Sequence, residues 1–168
     1  QRHVRTYDVV VDSGGGGQMR SAIHGGLTFG GPGGIGDLVS RPGVTAPLTP
    51  AQTARLVAAL EQSDAFGPPP VGLTMSSRIP YWVVVYCRDG AFGLNAWKYP
   101  SDRFTAQTFE AVIRGLPGTG AAWPELPTPG DATLRDTCDS RALDTASATV
   151  CFNITVGADG LAGPMIAF

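Results

Sequence analysis

Chain-breaking residues set the terms for this sequence. Glycine occurs 23 times and proline 14 times in 168 residues, well above the combined share in an average globular chain. Few windows are long enough for an uninterrupted helix, which excludes a helical bundle. What remains is short strands and one or two helices joined by turns. Hydrophobic residues still make up 43% of the chain, too many for a disordered segment. The length suits a single domain with a core of its own.

The strand and helix signals follow in order. Residues 4–12 (VRTYDVVVD) read as a strand, and the four glycines at 14–17 must form a turn or mobile loop. Residues 18–24 then alternate, with Met19, Ser21 and Ile23 on one side and Arg20, Ala22 and His24 on the other. That is the period of a half-buried strand pairing back on the first. Residues 25–47 read as a long loop with a short apolar piece at 35–39 and room for one short strand. A helix opens at Pro50, with Thr49 as N-cap and Gln52 completing a capping box. It is predicted to run to about residue 63 and to bury Leu56, Val57 and Leu60, with Phe66 following at its exit. Gly67-Pro68-Pro69-Pro70 stops it. Residues 81–88 and 91–98 flank Asp89-Gly90, a strong hairpin signal. A second helix is expected from Thr105 to about Leu116, with Phe109, Val112, Ile113 and Leu116 facing the core. After a linker-like stretch at 117–136, residues 146–156 and 161–167 read as a terminal hairpin. The expected class is α+β: a mostly antiparallel sheet, two helices and a C-terminal β-hairpin extension. Residues 1–117 are read as the α+β domain, and 118–168 as a linker plus a disulfide-containing β tail packed on it.

The net charge is −2 and Lys98 is the only lysine. With no basic patch, a nucleic-acid partner is not expected. No stretch of about 18 apolar residues is present, so no membrane span is expected. The chain opens on Gln rather than Met, and its cysteine spacing allows a bridge. Both lead to an expected secreted or extracellular location, with periplasm and cell surface included. Cys138 and Cys151 flank a polar stretch able to bend back, and a bridge between them would contribute about 3 kcal/mol. Spacing alone does not fix the pairing. Cys87 is then left over and reads as a buried free thiol. Asn153-Ile154-Thr155 is a glycosylation sequon, meaningful only in a eukaryotic secretory protein.

No catalytic set can be named from the sequence. The histidines are His3 and His24, and no Gly-x-Ser-x-Gly elbow exists. Cys87 could pair with His24, but its apolar neighbours disfavour a thiolate. Asp136, Asp139 and Asp144 match no calcium loop, and no close Cys or His pair suggests zinc. Gly31-Pro32-Gly33-Gly34-Ile35-Gly36 matches a dinucleotide fingerprint in form only, because Pro42 and Gly43 interrupt the helix it requires. A non-enzymatic protein without metal or cofactor is therefore expected. The aromatic set Tyr81, Trp82, Tyr86, Phe92, Trp97 and Tyr99 is either core or a binding surface.

One pattern is familiar. Asp12-Ser13-Gly14-Gly15 ends the first strand, and Leu48-Thr49-Pro50 opens a helix carrying Leu56-Val57-Ala58-Ala59-Leu60 and closing on Ala65-Phe66-Gly67-Pro68. Tyr81-Trp82-Val83-Val84-Val85, the Asp89-Gly90 turn and Phe109-Glu110-Ala111-Val112-Ile113-Arg114-Gly115-Leu116 complete it. Over residues 7–117 this order resembles the bacterial emfourin family, inhibitors of thermolysin-like metallopeptidases. The resemblance implies a protein partner, the protease, met by Ser13, Gly14, Gly15, Gly16, Gly17 and Gln18. The alternative is a structural or interaction subunit of an extracellular or cell-surface assembly, whose partner is a neighbouring subunit met through an exposed C-terminal strand at 161–168.

Overall fold

The computed structural model describes residues 4–24, 43–118, 123, 125–130, 138 and 152–163. Its class is α+β, with three antiparallel sheets and three helices among the described residues. The chain divides into two compact units. The described parts of the first are 4–24, 43–59, 108–118 and 123; those of the second are 60–107, 125–130, 138 and 152–163.

The first unit is built on a three-stranded sheet. β1 (Val4–Val11) pairs with β2 (Gly17–His24), and β2 pairs with β3 (Val44–Leu48). Met19, Ser21 and Ile23 are buried, as their alternation predicts. Ala46 and Leu48 continue the same buried face on β3, with Met19 opposite Ala46. β3 lies at the end of the stretch read as loop, and Pro47 is the reason its strand character is masked. Proline is tolerated there because β3 borders only β2 among the described strands, and at Pro47, opposite Gln18, the missing N–H faces away from that ladder.

Helix α1 (Pro50–Gln62) starts as predicted. Gln52 Oε1 accepts from the Thr49 amide at 2.8 Å, and the Gln52 amide donates to Thr49 Oγ1 at 3.3 Å. This is the reciprocal pattern of a capping box. The buried stripe is Thr53, Leu56 and Ala59, while Val57 and Leu60 are half-buried. The expected second helix is instead two short ones, α2 (Asp102–Ala106) and α3 (Phe109–Arg114), broken at Gln107-Thr108. The physical reason is spacing. Phe104 and Phe109 are both buried, yet five residues along one helix would turn them to well-separated faces. Ser101 caps α2 through its Oγ, which accepts from the Phe104 amide at 3.1 Å.

The second unit holds two further sheets. β4 (Thr74–Ser76), β7 (Asn153–Val156) and β8 (Leu161–Ala162) form one, in the order β4-β7-β8. The β7–β8 pair is the core of the expected terminal hairpin; residues 146–151 and 164–167 lie outside the described residues. β5 (Tyr81–Arg88) and β6 (Ala91–Lys98) form the expected hairpin as a separate two-stranded sheet. Asp89 (φ 53°) and Gly90 (φ 79°) are both left-handed, the conformation a two-residue type I′ turn requires. On one face of this hairpin, Tyr81, Val83, Leu94 and Ala96 pack with Met75, Val156, Leu73 and Ile154. Trp97 and Asn95 are fully buried, so the aromatic hairpin is largely core.

Its tip is not. Val85 is 67% exposed, Phe92 is 82% exposed, and the free thiol of Cys87 is exposed rather than buried. Apolar alternation reports which side chains share a face, but not how far along the strand that face is covered. Here the cover stops before the last turn of the hairpin.

Candidate functional site

The residues expected to meet a partner sit in the five-residue turn between β1 and β2 and at the start of β2. The turn is ordered by Asp12. Its Oδ1 accepts from the Gly14 amide at 2.8 Å and from the Gly16 amide at 3.1 Å. The Gly15 amide donates to the Asp12 carbonyl at 3.1 Å, and the Asp12 amide donates to the Gly16 carbonyl at 3.0 Å. An aspartate that bonds its own following backbone is a standard way to fix a turn. The glycine run is therefore organised by hydrogen bonds rather than left as an open loop.

The six positions divide by role. Ser13, Gly14 and Gly15 are exposed at the tip, and Gln18 is exposed on β2. Gly16 is buried and Gly17 is half-buried inside the ladder. Gly15 has φ +79°, which L side chains rarely adopt. A Cβ on Gly17 would lie well under 3.0 Å from the Val10 carbonyl oxygen, closer than real Cβ contacts come. Gly16 and Gly17 therefore support the turn, while Ser13, Gly14, Gly15 and Gln18 form its outward surface. The outward surface offers one hydroxyl, one carboxamide and unobstructed glycine backbone, while the Gly14 and Gly15 amides and the Asp12 carboxylate are committed to bonds within the turn.

A second arrangement, within the second unit, was not foreseen. Asn95 Nδ2 donates to the Asp64 carbonyl at 2.8 Å, with the Gly67 and Pro68 carbonyls at 3.3 and 3.4 Å. Asn95 Oδ1 accepts from Arg103 Nη2 at 2.7 Å and from the Ala96 amide at 3.0 Å. Arg103 also lies 3.6 Å from the Asp64 carboxylate and 5.1 Å from the Trp97 ring centroid. Gln62, Ser63, Asp64, Arg103, Ala106 and Gln107 line a shallow groove of about 350 Å³ beside it. Every polar atom of the Asn95 amide is matched to a protein group, which is the pattern of a buried structural knot. The available signal was a lone amide inside an otherwise apolar strand.

In the first unit, Trp123 lies between cations. The Arg5 guanidinium is 4.8 Å and the Arg114 guanidinium 4.6 Å from its ring centroid, and Tyr7 stacks at 6.0 Å with 1° between the planes. Arg114 is in turn paired with the buried Glu110. Burial pushes the Tyr7 hydroxyl above its ordinary pKa, partly offset by a hydrogen bond and positive charge from Arg5.

The remaining expectations fall as follows. His24 Nε2 lies 3.2 Å from Thr6 Oγ1. Asn153 Oδ1 accepts from the Cys138 amide at 3.0 Å, and its Nδ2 donates to the Cys138 carbonyl at 3.3 Å. The amide a glycan would use is thus engaged with the backbone. Cys151 lies outside the described residues, as do His3, the glycine motif at 31–36 and Asp136, Asp139 and Asp144. Among the described residues, no group of three or more His, Cys, Asp or Glu could hold a metal ion, and no helix is long and apolar enough to cross a membrane. Comparison with family models, curated proteins and solved structures returns no match. The class of protein defined here is therefore an α+β chain of three small antiparallel sheets with a glycine-built turn at one hairpin end.

Proposed function

We propose that this chain is a non-enzymatic extracellular binding protein that uses the β1–β2 turn to engage a thermolysin-like metallopeptidase. The observation that carries the reading is the Asp12-ordered turn, with Ser13, Gly14 and Gly15 exposed at its tip. A projecting segment that is already ordered loses less entropy on binding than a mobile one. Small residues let the main chain approach a cleft closely. The likeness of residue order to emfourins supplies the partner class, and a bridge between Cys138 and Cys151 belongs to the same extracellular reading. The test is titration of thermolysin with the intact protein, read as residual peptidase activity. A stoichiometric end point is expected, weakened at least tenfold by Ser13→Trp or Gln18→Trp, both at exposed positions. A flat titration overturns the protease assignment, and inhibition unchanged by both variants removes the turn from the mechanism.

A second reading, a subunit of a surface assembly, draws on the exposed Val85 and Phe92 at the β5–β6 tip. The described start of the final strand, Leu161–Ala162, pairs with β7 in its own unit. That shifts this reading from the C-terminal strand to the hairpin tip. Phe92→Ser would then abolish co-assembly while leaving protease inhibition untouched.

A further inference from the structure

The exit of α1 carries a residue that the backbone there does not favour. The Asp64 amide donates to the Glu61 carbonyl at 3.0 Å, and the Ala65 amide donates to the Leu60 carbonyl at 2.9 Å. These two bonds form a Schellman motif, with Asp64 at the position where a helix usually ends on glycine. Its φ is 57°, in the left-handed region that a side chain disfavours. A Cβ on Gly67 would collide with the Asp64 carboxylate, so glycine at that position leaves the carboxylate its room. Aspartate at 64 thus brings a carboxylate at the expense of an easier backbone.

Arg103 faces it. Its Nη2 donates to Asn95 Oδ1 at 2.7 Å and lies 3.6 Å from an Asp64 carboxylate oxygen, and the Trp97 ring centroid is 5.1 Å from the guanidinium. Asn95 and Trp97 are fully buried and hold the guanidinium on its inner side. The Arg103 side chain is still 35% exposed and that of Asp64 68% exposed. Nε and Nη1 of Arg103 meet no acceptor among the described residues. Both side chains line the groove of about 350 Å³, a volume suited to a small molecule.

We propose that this groove binds a small zwitterion of the α-amino acid type, with its carboxylate on Arg103 and its ammonium on Asp64. A lone anion would reach Arg103 against repulsion from Asp64, and a lone cation would meet the reverse. A ligand with both charges side by side is attracted at each end and makes charge-assisted hydrogen bonds to both groups. By standard bond lengths, an α-ammonium nitrogen lies about 2.5 Å from its carboxylate carbon and slightly further from the oxygens. That matches two receiving groups 3.6 Å apart. Charges separated by several more bonds would not fit the pair in this way. The carboxamides of Gln62 and Gln107, also in the lining, suit a short polar side chain. The proposal stands apart from the protease reading, which rests on the β1–β2 turn.

The experiment is a chemical-shift titration of the isotope-labelled intact protein, read at the backbone amides of residues 62–64 and 103–107. The probes are L-alanine, L-serine and L-glutamine; acetate, ethylammonium and ε-aminocaproate are the controls. Saturable shifts at these amides are expected with at least one of the three amino acids, and binding weaker by about tenfold or more with every control. Asp64→Gly should weaken amino acid binding by about tenfold or more, since one charge-assisted contact is lost. It should keep the fold, because glycine suits the left-handed position and an exposed ion pair contributes little. Asp64→Asn, which also tolerates that conformation, should lose binding to the same extent. Absence of saturable shifts with all three amino acids overturns the proposal. So does acetate or ε-aminocaproate binding as tightly as the amino acids, or binding indifferent to both variants.

Discussion

Replacing Asn95 by alanine is the sharpest perturbation the structure offers. The side chain is fully buried and joins a strand to the exit of α1 and to α2. Two of its bonds are short: Nδ2 to the Asp64 carbonyl at 2.8 Å and Oδ1 from Arg103 at 2.7 Å. A neutral bond of the first kind contributes about 1 kcal/mol net, and one to a charged donor about 1.5–3 kcal/mol. The longer approaches to the Gly67 and Pro68 carbonyls add little. Truncation also leaves the Asp64 carbonyl with only the long bond from the Gly67 amide at 3.4 Å. Arg103 is not left as an isolated charge, because the Asp64 carboxylate remains 3.6 Å away. The expected loss is therefore about 3 kcal/mol, toward the lower end of what breaking a buried network costs. Equilibrium urea denaturation with an unchanged m-value measures it. Arg103→Ala, on a side chain about one-third exposed, should cost only about 1 kcal/mol after solvent screening. A loss below about 1 kcal/mol for Asn95→Ala would mean that water replaces the amide, and would refute the claim that this residue ties the strand to the helix exits.

Three further outcomes are expected. Gly17→Ala should destabilise by more than about 2 kcal/mol through its clash with the Val10 carbonyl, whereas Gly14→Ala, 3.2 Å from a carboxylate oxygen that can shift, should cost under about 1 kcal/mol in the same denaturation assay. The Thr53 hydroxyl is buried with no hydrogen-bond partner, so Thr53→Val should leave stability unchanged or raise it by about 1 kcal/mol, read from the thermal midpoint. Burial raises the pKa of Tyr81, and of Tyr7 despite the opposing Arg5, above the ordinary value of about 10.0. Since the folded state favours the neutral phenol, that contribution is complete below pH 10 and is lost as pH rises through the folded values; a Tyr81→Phe variant should show a shallower alkaline decline in unfolding free energy.

The parts of this structure that could be read from sequence are those fixed by adjacent residues. Thr49-Pro50-Ala51-Gln52 holds its whole capping box within four positions, and Asp89-Gly90 carries the left-handed pair that closes a hairpin. The glycines at 14–17 signal the turn, but it runs from 12 to 16 with Gly17 already in β2, and its order is not visible in the sequence. It depends on Asp12 reaching forward to two amides, a side-chain choice that composition does not reveal. The helix break at Gln107-Thr108 is not legible from the apolar positions read for this helix, because Phe109, Val112, Ile113 and Leu116 all lie after the break. β3 escaped because Pro47 is a breaker everywhere except at a sheet edge. The exposure of Cys87 follows from how far a neighbouring sheet extends over β5, which no local pattern encodes.

The division of labour within the 12–16 turn also bears on evolvability. Asp12 supplies the fastening, Gly15 the left-handed corner and Gly17 the clearance for the neighbouring strand. Ser13 has none of these duties, and Gly14 is crowded only by a carboxylate oxygen. A lineage, or a library, could therefore diversify Ser13 freely, Gly14 among small residues, and Gln18 on the adjoining strand without rebuilding the hairpin. Recognition would be rewritten through very few codons while the frame that presents them stays constant.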